Sequence, residues 1–302
     1  MKKFFQRLIA NIKKHPKRYI YSALMVVLAG IFIGTTIFLI SYFSESKVQI
    51  RQHEELIDYV QKGREEAIQE GGIAIVNPDG TLNIEPENPL INSKNVYEYV
   101  TNEDGETVKV LKEYATVYKM NNDVVGWIQI PGTKVNYPVL QRKDTPNYYL
   151  RRDFYEENAR HGSIYAYEEA DFKDVSDNIT LFGHNMGDNT MFAGLHDYEK
   201  EEFYQAHPYI LFDTLTSHQV YKVVSVFYTN VDVTNGFVYH DITDFEDEHA
   251  FYAFIEDCTD RAMYDTGTSF VYGDKLLTLS TCDNNVADDS IRFVVVAKKV
   301  SL

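Results

Sequence analysis

The amino-acid sequence predicts a mostly β fold: an eight-stranded barrel with peripheral helices, preceded by an N-terminal transmembrane helix and a helical stalk. Three observations carry this. Eight short strand-like runs fall within Val124–Lys298, a density that favours a closed barrel over an open sheet. Tyr19 to Phe43 run for 25 residues without one charged side chain. The polar, proline-free stretch Ser44–Glu70 then places Ile50, Leu56, Ile57, Val60 and Ile68 at loosely helical spacing.

The chain opens on a basic block, residues 1–18, with seven Lys or Arg side chains (Lys2, Lys3, Arg7, Lys13, Lys14, Lys17, Arg18) and no acid. The apolar run follows, and at ~1.5 Å per residue a helix of that length spans ~37 Å, enough for a hydrocarbon core of ~30 Å with some tilt. A cleaved signal peptide would carry an apolar region of only ~7–15 residues before a small-residue cleavage site. Here the run is longer and ends in Ser-Tyr-Phe-Ser-Glu, so residues 19–43 are expected to be an uncleaved signal anchor. The basic block then stays in the cytoplasm, and residues 44–302 lie outside the cell.

Residues 44–110 are expected to be a helical stalk and linker. Gly71-Gly72 breaks the helix, Asn77-Pro78-Asp79-Gly80 is a turn, and Pro86 and Pro89 keep the chain extended. Val96 to Val110 flank Asn102-Glu103-Asp104-Gly105, a hairpin signal. A compact domain is expected over 111–302. Leu111–Met120 reads as a short helix. The strand runs are Val124–Ile130, Val135–Leu140, Ser163–Tyr167, Ile179–Gly183, Tyr209–Phe212, Val220–Thr229, Leu276–Ser280 and Arg292–Lys298. Helical patches interrupt them at Met191–Ala206 and Asp244–Met263, the second with Phe251, Phe254, Ile255 and Cys258 on one stripe.

Composition excludes several function classes. The 302 residues are 44% hydrophobic and 25% charged, too apolar for a disordered chain. With 29 basic and 45 acidic residues the formal charge is −16, and everything after the basic block carries −23. Nucleic-acid binding rests on clustered Lys and Arg, so no nucleic-acid partner is expected. Two cysteines exclude a disulfide framework and an all-cysteine zinc site. The sequence contains no Gly-x-Ser-x-Gly elbow, His-Glu-x-x-His, Walker loop or dinucleotide fingerprint.

The chemistry therefore falls to a thiol. Cys258 lies on the apolar stripe of a helix, where a free cysteine acts as a small hydrophobe. Cys282 ends the strand Leu276–Cys282 where Asp283-Asn284-Asn285 opens a polar loop, so a rigid barrel would present it to a substrate. A Cys258–Cys282 disulfide is the alternative in an oxidising compartment, neither forbidden nor favoured by these positions. A thiol nucleophile needs a proton-transfer partner. Among nine histidines, His15 is cytoplasmic, His53 sits on the stalk, and His207 and His249 read as exposed. His184 follows the strand Ile179–Gly183 and precedes a loop, a second strand end. Arg292 opens the last strand; if that strand is the antiparallel neighbour of the cysteine strand, both residues meet at one barrel end, where an arginine suits an oxyanion.

At these residues the sequence resembles a sortase, specifically of class B. Thr278-Leu279-Ser280-Thr281-Cys282 is similar to the family's nucleophile signature, Leu181-Phe182-Gly183-His184-Asn185-Met186 to its histidine signature, and Arg292 sits at the family's spacing. Asn122–Ile128, Val135–Val139, Tyr149–Phe154, Gly162–Tyr165 and Met191–Leu195 match as well. The helix-bearing insertion near Asp244–Met263 fits class B, and no Asp-Pro dipeptide of a class C lid is present.

The resemblance implies a sortase-type barrel and a cell-surface transpeptidase of a Gram-positive bacterium. Cys282 would be nucleophile, His184 general acid and base, and Arg292 oxyanion stabiliser, with Ser280, Thr281 and Asp283 as substrate-contact candidates. The implied partners are secreted proteins bearing a C-terminal sorting signal and a peptidoglycan precursor or cross-bridge amine. No cofactor and no metal are implied. The acidic loop Glu168–Asp177 lacks EF-hand spacing and reads as a solvated surface loop, with calcium as the alternative. A class B-like pilin polymerase and a non-catalytic surface binding module on the same scaffold are the competing functions.

Overall fold

The computed structural model describes residues 6, 10–72, 94–102, 105–232, 236–283 and 290–300. The expected turn at 77–80, the extended stretch about Pro86 and Pro89, and Asn284-Asn285 lie outside these residues.

Pro16–Gln69 form one helix, α1, so anchor and stalk are continuous. By length and composition α1 can cross a membrane. Along its apolar run the large side chains are exposed, Phe32 (72%) and Ile40 (65%) among them. The Thr35 and Thr36 hydroxyls donate back to Ile31 O and Phe32 O at 3.0 and 2.8 Å, which satisfies them inside the helix as an apolar medium requires. The helix stops where the glycine pair predicts: Gly71 takes φ +94 and Gly72 N–H closes on Ala67 O at 2.9 Å.

The chain divides into two compact units, Met1–Ile50 and Arg51–Leu302. Within the second, the last turns of α1 carry buried side chains. Leu56 and Val60, one turn apart on one face, are buried with Leu111, Tyr114 and Trp127. The hairpin forms as expected from β1 (Tyr97–Thr101) and β2 (Thr107–Leu111), with Tyr97 opposite Leu111. The helix expected over Leu111–Met120 is shorter: Leu111 stays in β2, Lys112–Tyr114 form a 3-10 turn, and α2 covers Ala115–Met120.

All eight expected barrel strands are present. They are β3 (Val124–Gln129), β4 (Asn136–Leu140), β5 (Ile164–Ala166), β6 (Asn178–Phe182), β7 (Tyr209–Thr214), β8 (Val220–Asn230), β9 (Leu276–Cys282) and β10 (Ile291–Lys299). They close in the order β10-β8-β7-β3-β4-β5-β6-β9. Most pairs are antiparallel; β4 with β5 and β6 with β9 are parallel. The strands read as near-continuous apolar runs because both faces are covered. In β9 and β10, Leu277, Leu279, Phe293 and Val295 fill the barrel core, while Leu276, Val294 and Val296 pack against α4 (Glu248–Asp260).

Both expected helical patches are trimmed. Met191 adopts φ +57 and bridges to Asn185, so the first patch starts later, as a 3-10 segment Ala193–Glu199 followed by α3 (Glu201–Ala206). At the second, Asp244 instead accepts the Asp177 N–H at 3.2 Å, and Asp247 caps α4 by accepting from Ala250 N at 2.8 Å. The stripe Phe251, Phe254, Ile255 and Cys258 is buried as predicted.

Candidate active site

Strand register builds the site. β6 and β9 run parallel with Phe182 beside Ser280, so His184 and Cys282 each stand two residues past that pair at one end of the barrel. β10 returns antiparallel on the other side of β9 and sets Arg292 directly opposite Cys282. The three residues that the sequence singles out therefore converge on adjacent strands in the order β6, β9, β10. All three line one cavity of about 480 Å³.

Both cysteines are free thiols. Cys258 is 1% exposed on α4, and burial pushes its thiol far up, so it stays protonated and inert. Cys282 is only half-buried and faces the cavity. His184 is oriented by its Nε2–H, which donates to Leu150 O at 2.7 Å; the carbonyl cannot donate, so Nδ1 is the nitrogen left to exchange a proton. Burial holds this imidazole below 6.5, the Leu150 contact works against that shift, and the charge of Arg151 adds to it. The backbone before it has no spare room. A Cβ at Gly183 would stand 2.4 Å from Ile164 Cδ1 and 2.7 Å from Phe192 Cγ. Arg292 is braced by its own strand, Nη1 donating to Ile291 O at 3.0 Å.

The cavity wall adds residues to which the sequence assigned no role, Tyr239 and Tyr165 among them. Tyr239 OH and Ser280 Oγ lie 2.6 Å apart, and burial pushes that phenol up to about 12. Tyr165 OH donates to Asn147 Oδ1 at 2.9 Å, and Leu150 and Glu168 line the same wall. Ser280 and Thr281 both belong to it. The Thr281 hydroxyl, however, lies on the opposite face of β9 from the thiol, buried and without a hydrogen-bond partner among the described residues. Asp283 follows β9, its N–H 3.4 Å from Ile291 O, and is not in the wall.

Metal-type donors converge elsewhere. Glu113, Asp213 and His218 bring ligand atoms within 4.8 Å of one another about Asp213 of β7. Asp213 is already taken by Tyr114 and His218, and Arg64 faces Glu113 at 3.9 Å, so this is a buried ion-pair network. In the acidic loop, Asp171 accepts the Lys173 and Asp174 N–H groups and Asp177 pairs with Lys275 at 2.8 Å.

Comparison with known proteins agrees with this geometry. A family model described as the sortase domain matches residues 128–300. Sortase B of Staphylococcus aureus is 35% identical over 193 residues, 64% of this chain and 77% of that protein. Sortase B of Listeria monocytogenes is 33% identical over 202 residues, 67% of this chain and 78% of the relative. Among solved structures, a Staphylococcus aureus sortase B–substrate complex superposes with a TM-score of 0.58 at 36% identity, covering 63% of this chain and 86% of that one. A Bacillus anthracis protein described as similar to sortase B gives 0.57 at 35% identity, covering 69% and 90%.

Proposed function

The chain belongs to the sortase family, alongside the sortase B enzymes, and is a cysteine transpeptidase; from this we propose that Cys282, His184 and Arg292 are its catalytic residues. The observation that carries the proposal is the meeting of these three side chains on one cavity, from strands distant in sequence.

In this reading Cys282 gives its thiol proton to His184 Nδ1, and the thiolate attacks the carbonyl carbon of the threonine in a C-terminal sorting signal. A C–S bond forms, and Arg292 neutralises the tetrahedral oxyanion, a contribution of the order of 10²–10³ in rate for such a donor. The amide after threonine then breaks as His184 Nδ1 delivers its proton to the leaving amine. A cell-wall amine next gives its proton back to His184, attacks the thioester and expels the thiolate. Ser280 lines the acyl site; Thr281 and Asp283 are proposed as contacts through their backbone and position. α1 would hold the catalytic domain at the outer face of the membrane, with the basic N-terminus in the cytoplasm. The division into tail 1–18, anchor 19–43, stalk and linker 44–110 and catalytic domain 111–302 is part of the same proposal.

The test uses the full chain in detergent micelles, a quenched fluorescent sorting peptide and an amine acceptor. An amide product is expected with the wild type and none with Cys282→Ala. Product formation by Cys282→Ala would overturn the assignment.

A further inference from the structure

Past Ser280 the ladder between β6 and β9 ends, the last backbone contact being Gly183 N–H to Ser280 O at 3.2 Å. The Cys282 carbonyl is taken up by side chains instead: Asn185 Nδ2 at 3.1 Å and His196 Nε2 at 3.2 Å. Those two nitrogens are themselves 3.0 Å apart. At its other nitrogen, His196 Nδ1 meets Tyr228 OH at 3.2 Å and Glu199 Oε1 at 3.3 Å, while Tyr228 OH donates to Glu199 at 2.6 Å. The His196 ring also stacks on Phe293, with centroids 4.6 Å apart and planes 21° from parallel.

The protons balance in one arrangement. Tyr228 has spent its only proton on Glu199, so Nδ1–H of His196 donates toward that pair. In the neutral ring Nε2 then accepts one Asn185 N–H, and the second goes to Cys282 O. In the charged ring Nε2–H reaches Cys282 O directly. Both forms terminate on the same carbonyl.

What this imidazole touches is significant. Asn185 is peptide-bonded to His184, the carbonyl belongs to Cys282, and Phe293 follows Arg292. Tyr228 is the register partner of Phe293 on β8. We propose that His196 is a positioning residue that locks the ends of β6, β9 and β10 together and so sets Cys282, His184 and Arg292 at their working separation. The proposal rests on the catalytic assignment above.

A ring that merely fills space and one that positions through its nitrogens are separated by His196→Phe, which keeps the stack on Phe293 and removes both nitrogens. His196→Gln restores an amide donor. Measured on the full chain in micelles, His196→Phe is expected to lower kcat at least tenfold with KM within twofold, and His196→Gln to recover at least a third of the wild-type value. Alkylation of Cys282 by iodoacetamide needs no sorting signal and reads the same geometry, Cys258 being buried; its rate should fall at least threefold in His196→Phe and recover in His196→Gln. A wild type that alkylates but turns over no sorting peptide would refute the proposed function and still leave this comparison decisive. Wild-type kcat and alkylation in His196→Phe, or a change in KM alone, would overturn the positioning role. Should His196→Phe fail to fold, Tyr228→Phe with Glu199→Gln leaves the ring in place, and an unchanged kcat there would overturn it equally.

Discussion

Asp213→Asn is expected to destabilise the domain by about 3 kcal/mol, and the cost follows from three contacts. Asp213 is 7% exposed and accepts from Tyr114 OH at 2.5 Å, His218 Nδ1 at 2.8 Å and Gln219 N–H at 3.2 Å. All three are donors, so an amide in this place must turn its own N–H₂ toward at least one of them. A stranded buried donor costs ~1–3 kcal/mol, and removing one partner of a buried ion pair ~3–5 kcal/mol; Glu113, 3.6 Å from His218, offsets part of this. For a unit of this size, ~2–4 °C per kcal/mol makes the expected fall in Tm roughly 6–12 °C.

The pH dependence supplies a second signature. Burial opposes charge on Asp213, but His218, Tyr114 and Arg64 outweigh it and hold the carboxyl below 3.8. Burial likewise opposes charge on His218, but Asp213 and Glu113 raise it above 6.5. The network therefore stabilises fully between 3.8 and 6.5. Its contribution is lost as pH rises through the folded value of His218, and also as pH falls through that of Asp213. Thermal unfolding of the full chain in micelles from about pH 2 to about pH 9, read by near-UV circular dichroism, measures both. A loss under about 1 kcal/mol, or a pH profile unchanged by the substitution, would refute the reasoning.

Four further outcomes are expected. Gly183→Ala should cost roughly 1–3 kcal/mol and more than tenfold in activity, because its Cβ meets the fully buried Phe192 ring and displaces His184; activity beside a melting curve checks both. The His184 imidazole should titrate below 6.5, so any step that needs its protonated form weakens as pH rises, and a histidine Cε1–H NMR titration giving 6.5 or more would contradict this. Arg292→Lys should keep the fold and lose roughly 10²-fold in kcat, since an ammonium cannot reproduce the guanidinium fork; steady-state kinetics decide it. Mass spectrometry after alkylation should find label on Cys282 alone in the native protein and on Cys258 only after denaturation.

The eight strands were legible because burial on both faces leaves runs such as Phe293–Ala297 almost purely apolar. Cys282, His184 and Arg292, the proposed catalytic residues, stand out in the sequence because each lies where such a run meets a polar loop. Residues whose partners are remote left no such mark. Leu56 and Val60 read as ordinary stalk positions, since nothing local announces Tyr114 and Trp127 as their neighbours. Glu113, Asp213 and His218 look like surface polar residues until the fold buries them together. His196 sits in a helical patch whose pattern is that of a 3-10 segment, and its partner carbonyl on Cys282 is 86 residues away. The trimmed helices follow from backbone events, Met191 at positive φ and the Asp247 cap, that an apolar stripe does not encode.

The parallel pairing of β6 with β9 has a consequence for the order in which activity is acquired. Thr278 and Asn178, joined across that pair at 2.8 Å, are 100 residues apart, and β10 comes later still. Contacts of such range close late, after the local hairpins have formed. A nascent or partly folded chain therefore carries β6 long before β9 docks beside it, and Arg292 on β10 arrives last. The proposed centre is completed by the same event that seals the barrel, so an immature chain holds Cys282 without His184 and Arg292 beside it.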